Sequence, residues 1–319
     1  MKPTQWIEKF QDDLRKMNSP FMAGNFKESC LIHSKGGYGI FLLEDYNGKR
    51  YTVKVTYFGD NLEIPVGLYV KQFASSIPNL LHVEGVYKGG NPLGYPLFTK
   101  NVLNDTGCKK EDLVSIFTER QRTDKYFYYL TKACSYNLGY YFGTMKGTLT
   151  FNAFVGFSFS LLVGLQTLHR LGVWHRDLGT RNVLMCKSDI ANKYSNIRYT
   201  YNDGTNNKTW TLSYKDLENR DMKLIDYGEA SVMDDITDHC LKFKNEVSVS
   251  LVLLLDTMWR RVIDKTDERE KQYADLKSRL KACTTTILDP MLNSEIYDSI
   301  SNISSNNTYD VELLPFLMS

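Results

Sequence analysis

Asp177 and Asn182 are the residues whose types and spacing most directly suggest chemistry. They stand in the run VWHRDLGTRNVL, residues 173–184, where apolar residues on both sides can fix a turn in a core. A carboxylate that is held still can accept a hydroxyl proton, and a neighbouring amide oxygen can bind a hard cation such as Mg²⁺. Because Asp and Asn also favour ordinary turns, a lone pair of this kind is more often a polar loop. Whether this run is catalytic or an ordinary polar loop therefore depends on the elements before and after it.

Lys54 and Asp226 extend this chemistry along the chain in both directions. Lys54 lies in RYTVKV, residues 50–55, whose alternation of polar and apolar residues predicts a strand. Asp226 follows the apolar stretch MKLI and opens an Asp-Tyr-Gly turn, which suits a carboxylate that binds a cation. Either feature alone is common, but together with the run at 173–184 they indicate phosphoryl transfer.

A glycine cluster precedes the lysine strand. Gly36, Gly37 and Gly39 come shortly before Asn47-Gly48, a turn signal between two β-prone runs, and this pattern predicts a strand-turn-strand. Glycines in such a loop let backbone N–H groups approach a phosphate, although turns also use glycine for conformational reasons alone.

Composition limits the class of protein more than it identifies a partner. The 319 residues are 42% hydrophobic, which suits a globular chain long enough for two lobes, and the net charge of +2 argues against nucleic-acid binding by bulk charge. The six cysteines lack CxxC pairs and are expected to be reduced thiols in the cytoplasm. No secretory signal is expected at the N-terminus. The apolar run 151–168 is interrupted by polar residues and is expected to be a buried helix, not a transmembrane segment.

The run H-R-D-L-x-x-x-N at residues 175–182 resembles the catalytic loop of protein kinases, and Asp226-Tyr227-Gly228 resembles their D-F-G turn. Lys54 stands where kinases place the lysine that binds the α- and β-phosphates. On these residues the chain is identified as a divergent member of the eukaryotic-type protein-kinase superfamily, over about residues 28–260. The glycine cluster, a long insertion and the absence of an A-P-E motif are also similar to poxvirus (vaccinia-type) kinases of large DNA viruses.

The resemblance implies an α+β, bilobal protein-kinase-like fold, with a β-rich N-lobe and a reduced, mostly α-helical C-lobe. The expected organisation is a helical extension over residues 1–24, an N-lobe over 25–146 with an insertion at about 104–135, and a C-lobe over 147–319 with an insertion at about 187–220.

Three segments in and after the N-lobe carry specific expectations. Strands are predicted around Leu80–Tyr87 and Tyr95–Val102. The stretch Tyr140–Leu149 is predicted to be a strand that runs into a linker resembling the kinase hinge, where ATP contacts would include Met145. A position near Phe98 is the alternative hinge.

The same resemblance implies roles for the site residues. Asp177 would orient and deprotonate the substrate hydroxyl, and Asn182 and Asp226 would hold Mg²⁺. Arg181 would neutralise the transferring phosphoryl group, because Gly179 replaces the lysine that serine/threonine kinases carry. The remaining implied ATP contacts are Ser34, Gly36, Gly37, Gly39, Lys54, Glu63 and Met145. Ser34 stands where the first glycine of the kinase loop is expected. Glu63 would pair with Lys54, or else cap the following helix.

The predicted function is transfer of the ATP γ-phosphate to protein hydroxyls. Serine and threonine are favoured by the viral comparison, while the Arg181-Asn182 ending is typical of tyrosine kinases and leaves Tyr or dual specificity open. Two alternatives stay open: a pseudokinase that binds or scaffolds, and a small-molecule phosphotransferase. Arg176 argues against the latter, and the missing A-P-E argues for it. The expected partner is a protein substrate, and the expected location is the cytoplasm, or the host cytoplasm or virion if the protein is viral.

Overall fold

The structure, a computed structural model, describes residues 1–35, 38–57, 62–99, 117, 126–202, 207–234, 244–282 and 307–313. The chain divides into two compact units. The sheet unit comprises Ile7–Leu68 and His82–Ala133, and the helical unit comprises Met1–Trp6, Tyr69–Leu81 and Cys134–Ser319. The chain thus leaves the sheet unit after Ala133, whereas the sequence predicts that boundary after Lys146.

The sheet unit is built on five antiparallel strands in the order β1-β2-β3-β5-β4. Their bounds are β1 Phe26–Lys35, β2 Tyr38–Asp45, β3 Arg50–Tyr57, β4 Val83–Gly89 and β5 Tyr126–Lys132. The Asn47-Gly48 turn predicted between β2 and β3 is present, and Gly48 adopts a φ of +79° that glycine tolerates without strain. The side chain of Asp45 caps this turn by accepting from Asn47 N and Lys49 N.

Both faces of this sheet are covered by apolar side chains. On one face lies helix α1, Pro3–Lys16, which confirms the helix predicted within residues 1–24. Its Leu14 packs with Ile64 of helix α2, Glu63–Ala74, and with Phe127 and Tyr129 of β5. The other face holds an aromatic cluster in which Phe21 stacks on Tyr128 with ring centroids 4.1 Å apart.

The prediction for residues 92–135 is wrong in two places. Residues 95–99 are not in a strand, because Tyr95 follows a 3₁₀ turn, Pro92–Gly94, and precedes the short helix α3, Pro96–Thr99. The fifth strand is instead β5, which lies within the predicted insertion and whose residues from Tyr126 to Thr131 are buried. The run YFYYLT has the aromatic and β-branched composition of a strand buried on both faces, a pattern without the alternation of a half-exposed strand. Most of the remaining insertion, 104–116 and 118–125, lies outside the described residues.

The core of the helical unit is helix α5, Phe151–Arg170, and every one of its residues except Asn152 is buried. Thr150 caps its N-terminus by accepting from Ala153 N, and Gly172 adopts a φ of +72° just beyond its end. Among the described residues, this is the one helix long and apolar enough to cross a membrane, but 94% of its most apolar window is buried within the protein. The prediction of a buried helix is therefore confirmed.

The predicted insertion at 187–220 forms a hairpin of β9, Asn196–Asn202, and β10, Asn207–Ser213. A further strand, β13 over Thr308–Glu312, pairs with β9 in parallel. The hairpin is not only a surface excursion, because Tyr199 and Trp210 are buried against Phe159 of α5, with ring centroids 5.4 and 5.5 Å away.

The predicted strand at Tyr140–Leu149 is wrong. The chain forms a two-residue strand β6, Tyr136–Asn137, and then helix α4, Leu138–Gly143, whose first turn is capped by the Asn137 side chain accepting from Tyr140 N. Met145 follows this helix and is half-exposed. It does not lie on the segment that leaves the sheet unit, which is where a hinge contact to adenine was expected.

The prediction of six reduced cysteines is also wrong, because Cys134 and Cys186 form a disulfide with Cα atoms 4.5 Å apart. Cys134 follows the sheet unit directly, and Cys186 lies in strand β8, Val183–Lys187. Sequence spacing gave no sign of the pair, because 52 residues separate the two sulfurs along the chain. The expected cytoplasmic location loses the support that reduced thiols would have given it.

The remaining elements complete the helical unit. Strand β7 is Val173–Trp174, β11 is Arg220–Leu224 and β12 is Ser231–Val232. A π-helical segment, Glu246–Leu251, runs into α6, Val252–Trp259, and a charged helix, α7, spans Asp267–Ala282. An antiparallel sheet in one unit and a second unit rich in helices confirm the predicted α+β fold class.

Candidate active site

Lys54 is the centre of the candidate phosphate-binding half, which lies within the sheet unit. Strand β3 places it opposite Ile40 of β2 and Tyr129 of β5, so the strand is fixed on both sides. Its Nζ lies 2.6 Å from Oε2 of Glu63, and only 14% of the lysine side chain and 6% of the glutamate side chain are exposed. The structure thus forms the pair left open by the sequence. The ring of Tyr38 lies 4.5 Å from the same Nζ, a distance at which an aromatic face attracts a cation.

Glu63 reaches Lys54 because helix α2 begins at Glu63 and lies close to the sheet. Pro65 falls in the first helical turn, where a missing N–H costs no intrahelical hydrogen bond. One turn after Glu63, Gly67 faces β5, and a Cβ on it would lie 2.6 Å from the Tyr129 hydroxyl. Glycine at this position therefore allows the close approach. Sequence reasoning missed Gly67, since a glycine inside a helical pattern is ambiguous without its neighbours.

The glycine cluster is partly described. Gly39 lies in β2 opposite Ser34 of β1 and Val55 of β3, and a Cβ on Gly39 would meet the rings of Phe41 and Phe117 at 3.0 and 3.2 Å. Close packing against these two rings is thus a second reason for a glycine at position 39. Gly36 and Gly37 lie outside the described residues.

Asp177 is the centre of the candidate catalytic half, which lies within the helical unit. Arg181 Nη2 donates to both carboxylate oxygens of Asp177 at 2.9 Å. Asn182 Nδ2 donates to the Asp177 carbonyl oxygen at 2.7 Å and to Oδ2 at 2.9 Å. The carboxylate is therefore oriented by two side chains four and five residues further along the chain. An oriented, ionised carboxylate is what a general base requires.

The backbone beside this base has an unusual conformation, and a buried acid supports it. Arg176 has a φ of +67°, in the left-handed region that non-glycine residues rarely adopt. Its N–H donates to Oε1 of Glu246 at 2.7 Å, while Oε2 of Glu246 lies 2.8 Å from Nε2 of His169 on α5. On the other side, His175 Nε2 lies 2.8 Å from the carbonyl oxygen of Ile225, which precedes Asp226.

Glu246 is ionised in this site although it is buried. Burial favours the neutral acid, but the hydrogen bond and charge of His169, the charge of His175 and the Arg176 N–H outweigh it. The pKa of the Glu246 carboxyl therefore lies below its ordinary value. The contact between His169 and Glu246 could not be expected from the sequence, because 77 residues separate the two.

Asn182 and Asp226 come to the same end of two neighbouring strands. Strands β8 and β11 pair antiparallel with Val183 opposite Leu224, and Ile225 N donates to the Asn182 carbonyl oxygen at 3.1 Å. Asp226 adopts a φ of +66°, which turns the chain sharply at the end of β11.

The donor set of these two residues fits Mg²⁺. The Asn182 amide nitrogen is committed to Asp177, so Oδ1 is the atom of this side chain that can bind a cation, and the Asp226 carboxylate is the second oxygen donor. Within the described ranges, no group of three or more His, Cys, Asp and Glu side chains forms a metal cluster. Two oxygen-bearing side chains suit a cation that keeps waters and takes further ligands from phosphates.

No family model and no curated protein sequence matches this chain. Among solved structures, the chain is similar to the Rad53 kinase domain with SCD2, with a TM-score of 0.47 and 13% identity over 86% of this chain and 88% of that one. It is also similar to a MAP kinase from Leishmania major, with a TM-score of 0.40 and 14% identity over 95% of this chain and 76% of that one.

Proposed function

We propose that this chain is an ATP-dependent protein kinase that transfers the γ-phosphate of ATP to a hydroxyl group of a protein substrate. The observation that carries the proposal is the environment of Asp177, whose carboxylate is oriented by Arg181 and Asn182 in a loop that buried Glu246 supports. A solvated polar turn has no need of a buried acid beneath it, because water would satisfy its backbone groups. A catalytic base needs such support, because its geometry must persist while the substrate changes.

The mechanism follows from the chemistry of these side chains. The substrate hydroxyl donates its proton to Asp177 as its oxygen attacks the γ-phosphorus, and the bond from that phosphorus to the bridging oxygen of ADP breaks. Arg181, a cation hydrogen-bonded to the base, offers positive charge to the transferring phosphoryl group. Asn182 and Asp226 would hold Mg²⁺, which would neutralise charge on the phosphates. Lys54 binds the α- and β-phosphates and is held in place by Glu63.

We propose serine and threonine as the acceptor residues. They are favoured by the resemblance to poxvirus-type kinases, which stays a prediction. The arginine immediately before Asn182 is the feature that would instead accompany tyrosine acceptors. The location of the protein in the cytoplasm is likewise a proposal, and the disulfide does not favour it.

One labelling experiment separates this function from its rivals. The purified full chain is incubated with Mg²⁺, γ-labelled ATP and cell extract, and label is measured in protein and in soluble metabolites, followed by phosphoamino-acid analysis. Loss of the base in Asp177→Asn should lower transfer about 10²- to 10⁴-fold. Asp13→Asn is the matched control, because Asp13 is an exposed carboxylate that pairs with Lys9 on the surface of α1.

Each rival has its own outcome in that assay. Label found only in soluble metabolites would refute the protein-kinase function and support a small-molecule phosphotransferase. Equal, background-level label in the wild type and in Asp177→Asn would refute the enzyme and leave a binding or scaffold role. Phosphotyrosine alone would overturn the proposed Ser/Thr specificity but not the phosphoryl transfer.

A further inference from the structure

Residues Ser231–Asp234, which we call the strap, lie along the strand that leads into the catalytic loop. Ser231 pairs with Trp174 and Val232 with Val173 where β12 meets β7. Met233 N then donates to the carbonyl oxygen of Gly172 at 2.9 Å. The Arg176 guanidinium also donates to the Ser231 hydroxyl at 3.2 Å. The strap therefore pairs with Val173 and Trp174, the two residues just before the loop that contains the base Asp177.

The far end of the strap is held by the N-terminus of the chain. Thr4 N donates to Oδ1 of Asp234 at 2.9 Å, and Thr4 Oγ1 donates to Oδ2 at 2.5 Å, across a sequence separation of 230 residues. Thr4 lies in the first turn of α1, whose N–H groups have no partner within the helix and whose dipole favours a nearby anion. Asp234 thus uses both carboxylate oxygens on one residue of the N-terminal turn.

The electrostatics of Asp234 agree with this geometry. The hydroxyl hydrogen bond from Thr4, then its backbone N–H, lower the pKa of the Asp234 carboxyl below its ordinary value, with a smaller contribution from Lys2. The charge of Asp234 also reaches Tyr69, whose pKa is raised to about 12 by burial first and by Asp234 second.

A second contact fixes the same N-terminal turn on the helical unit. The ring of Trp6 meets Phe73 edge to face with centroids 5.2 Å apart, and Phe73 in turn meets Tyr69 at 5.1 Å. The Tyr69 hydroxyl donates to the carbonyl oxygen of Leu171 at 3.0 Å, next to the residue that Met233 contacts. The N-terminal turn is therefore anchored beside Gly172 independently of Asp234, so it can act as a fixed support for the strap.

We infer that Thr4 and Asp234 are a positioning pair that fixes the strap and, through it, the strand that leads into Asp177. Neither residue touches the base, so their effect passes through the β12–β7 ladder and the Arg176–Ser231 contact. This inference rests on the proposed kinase function. If the inference holds, Thr4 near the start of the chain affects kcat. It does not affect nucleotide binding, which we assign to Lys54 and Glu63 of the sheet unit.

The test combines kinetics with amide hydrogen exchange on the full chain. Thr4→Val keeps the shape of the residue and removes the hydroxyl, Thr4→Ser restores it, and Asp234→Ala removes both acceptors. Thr4→Val should speed exchange at the Met233 amide and lower kcat, each about threefold to tenfold, with the KM for ATP unchanged. Thr4→Ser should recover both. The double variant should be no slower in turnover than Asp234→Ala, because the two residues act as one unit.

Asp13→Asn on the same helix is the control and should change neither measurement. Unchanged exchange at Met233 in Thr4→Val overturns the inference, whether or not the wild type transfers phosphate. Faster exchange with an unchanged kcat overturns it as well, since the contact would then be a simple helix cap. A wild type without any transferase activity refutes the proposed function instead, and the exchange comparison still decides whether the pair holds the strap.

Discussion

Glu246→Gln tests how the catalytic loop is supported, because it removes a charge and keeps the shape. The Glu246 side chain is only 1% exposed. One oxygen accepts from Arg176 N at 2.7 Å and the other lies 2.8 Å from His169 Nε2. Glutamine can keep one acceptor for the Arg176 N–H, but its NH₂ group would face the ring nitrogen of His169.

The size of the effect follows from what each variant leaves unpaired. Hydrogen bonds to a charged group are worth about 1.5–3 kcal/mol and neutral ones about 1 kcal/mol, so the Gln variant should lose about 1–3 kcal/mol of unfolding free energy. Glu246→Ala leaves the Arg176 N–H and the His169 ring without this buried partner, and removal of one member of a buried pair costs about 3–5 kcal/mol. We therefore expect Ala to be more destabilising than Gln.

The measurement is urea unfolding followed by tryptophan fluorescence at a series of pH values. The folded-state pKa of Glu246 lies below its ordinary value of 4.5, so its stabilisation is fully present above pH 4.5 and is lost as pH falls through the folded pKa. The stability advantage of the wild type over Glu246→Gln should shrink over that acidic range. The groups that face this carboxylate are His169, His175 and the Arg176 N–H.

Activity supplies a second readout of the same change. In Glu246→Gln the Arg176 N–H donates to a neutral amide oxygen instead of a carboxylate, which weakens the support of the left-handed turn at φ +67°. We therefore expect kcat to fall about tenfold or more, while the exposed control Glu268→Gln should leave stability and kcat unchanged. A Gln variant as stable as the wild type at pH 7 would refute the reasoning. So would a stability difference that stays constant under acidification.

Three other predictions follow from single contacts. Gly67→Ala places a Cβ 2.6 Å from a tyrosine hydroxyl, so a fluorescent ATP analogue should bind several-fold more weakly, while Gly24→Ala, which meets nothing within 4 Å, should bind it normally. Cys134→Ser opens a disulfide across 52 residues and should lower the free energy of urea unfolding by about 2–4 kcal/mol, unlike Cys30→Ser. Arg181→Ala should lower kcat about 10- to 100-fold in steady-state kinetics with little change in the KM for ATP. A KM that rises by the same factor as kcat falls would contradict the placement of Arg181 beside the base.

The parts of the site that the sequence predicted are those whose partners lie close along the chain. Asp177, Arg181 and Asn182 contact one another within five residues, so their spacing already limits their geometry. The pairing of Lys54 with Glu63 was proposed from the resemblance to protein kinases, with helix capping as the alternative role of Glu63. The α+β fold class was likewise an implication of that resemblance.

The errors have two physical sources. The strand β5 was assigned to an insertion because a strand buried on both faces lacks the alternation that identifies a half-exposed strand. The segment at Tyr140–Leu149 is rich in aromatic residues and suggested a strand, but the Asn137 cap and local packing give a helix. Intrinsic preference is weak enough for such tertiary context to override it.

The residues that position the base could not be predicted, because each acts across a long stretch of chain. His169 supports Glu246 over 77 residues, and Thr4 supports Asp234 over 230. A base that must keep its orientation during reaction needs such supports, since the loop's own hydrogen bonds leave its backbone in a rarely adopted conformation at Arg176. Under the proposed kinase function, the contacts of His169 and Thr4 would hold the loop of Asp177 in the orientation that phosphoryl transfer requires.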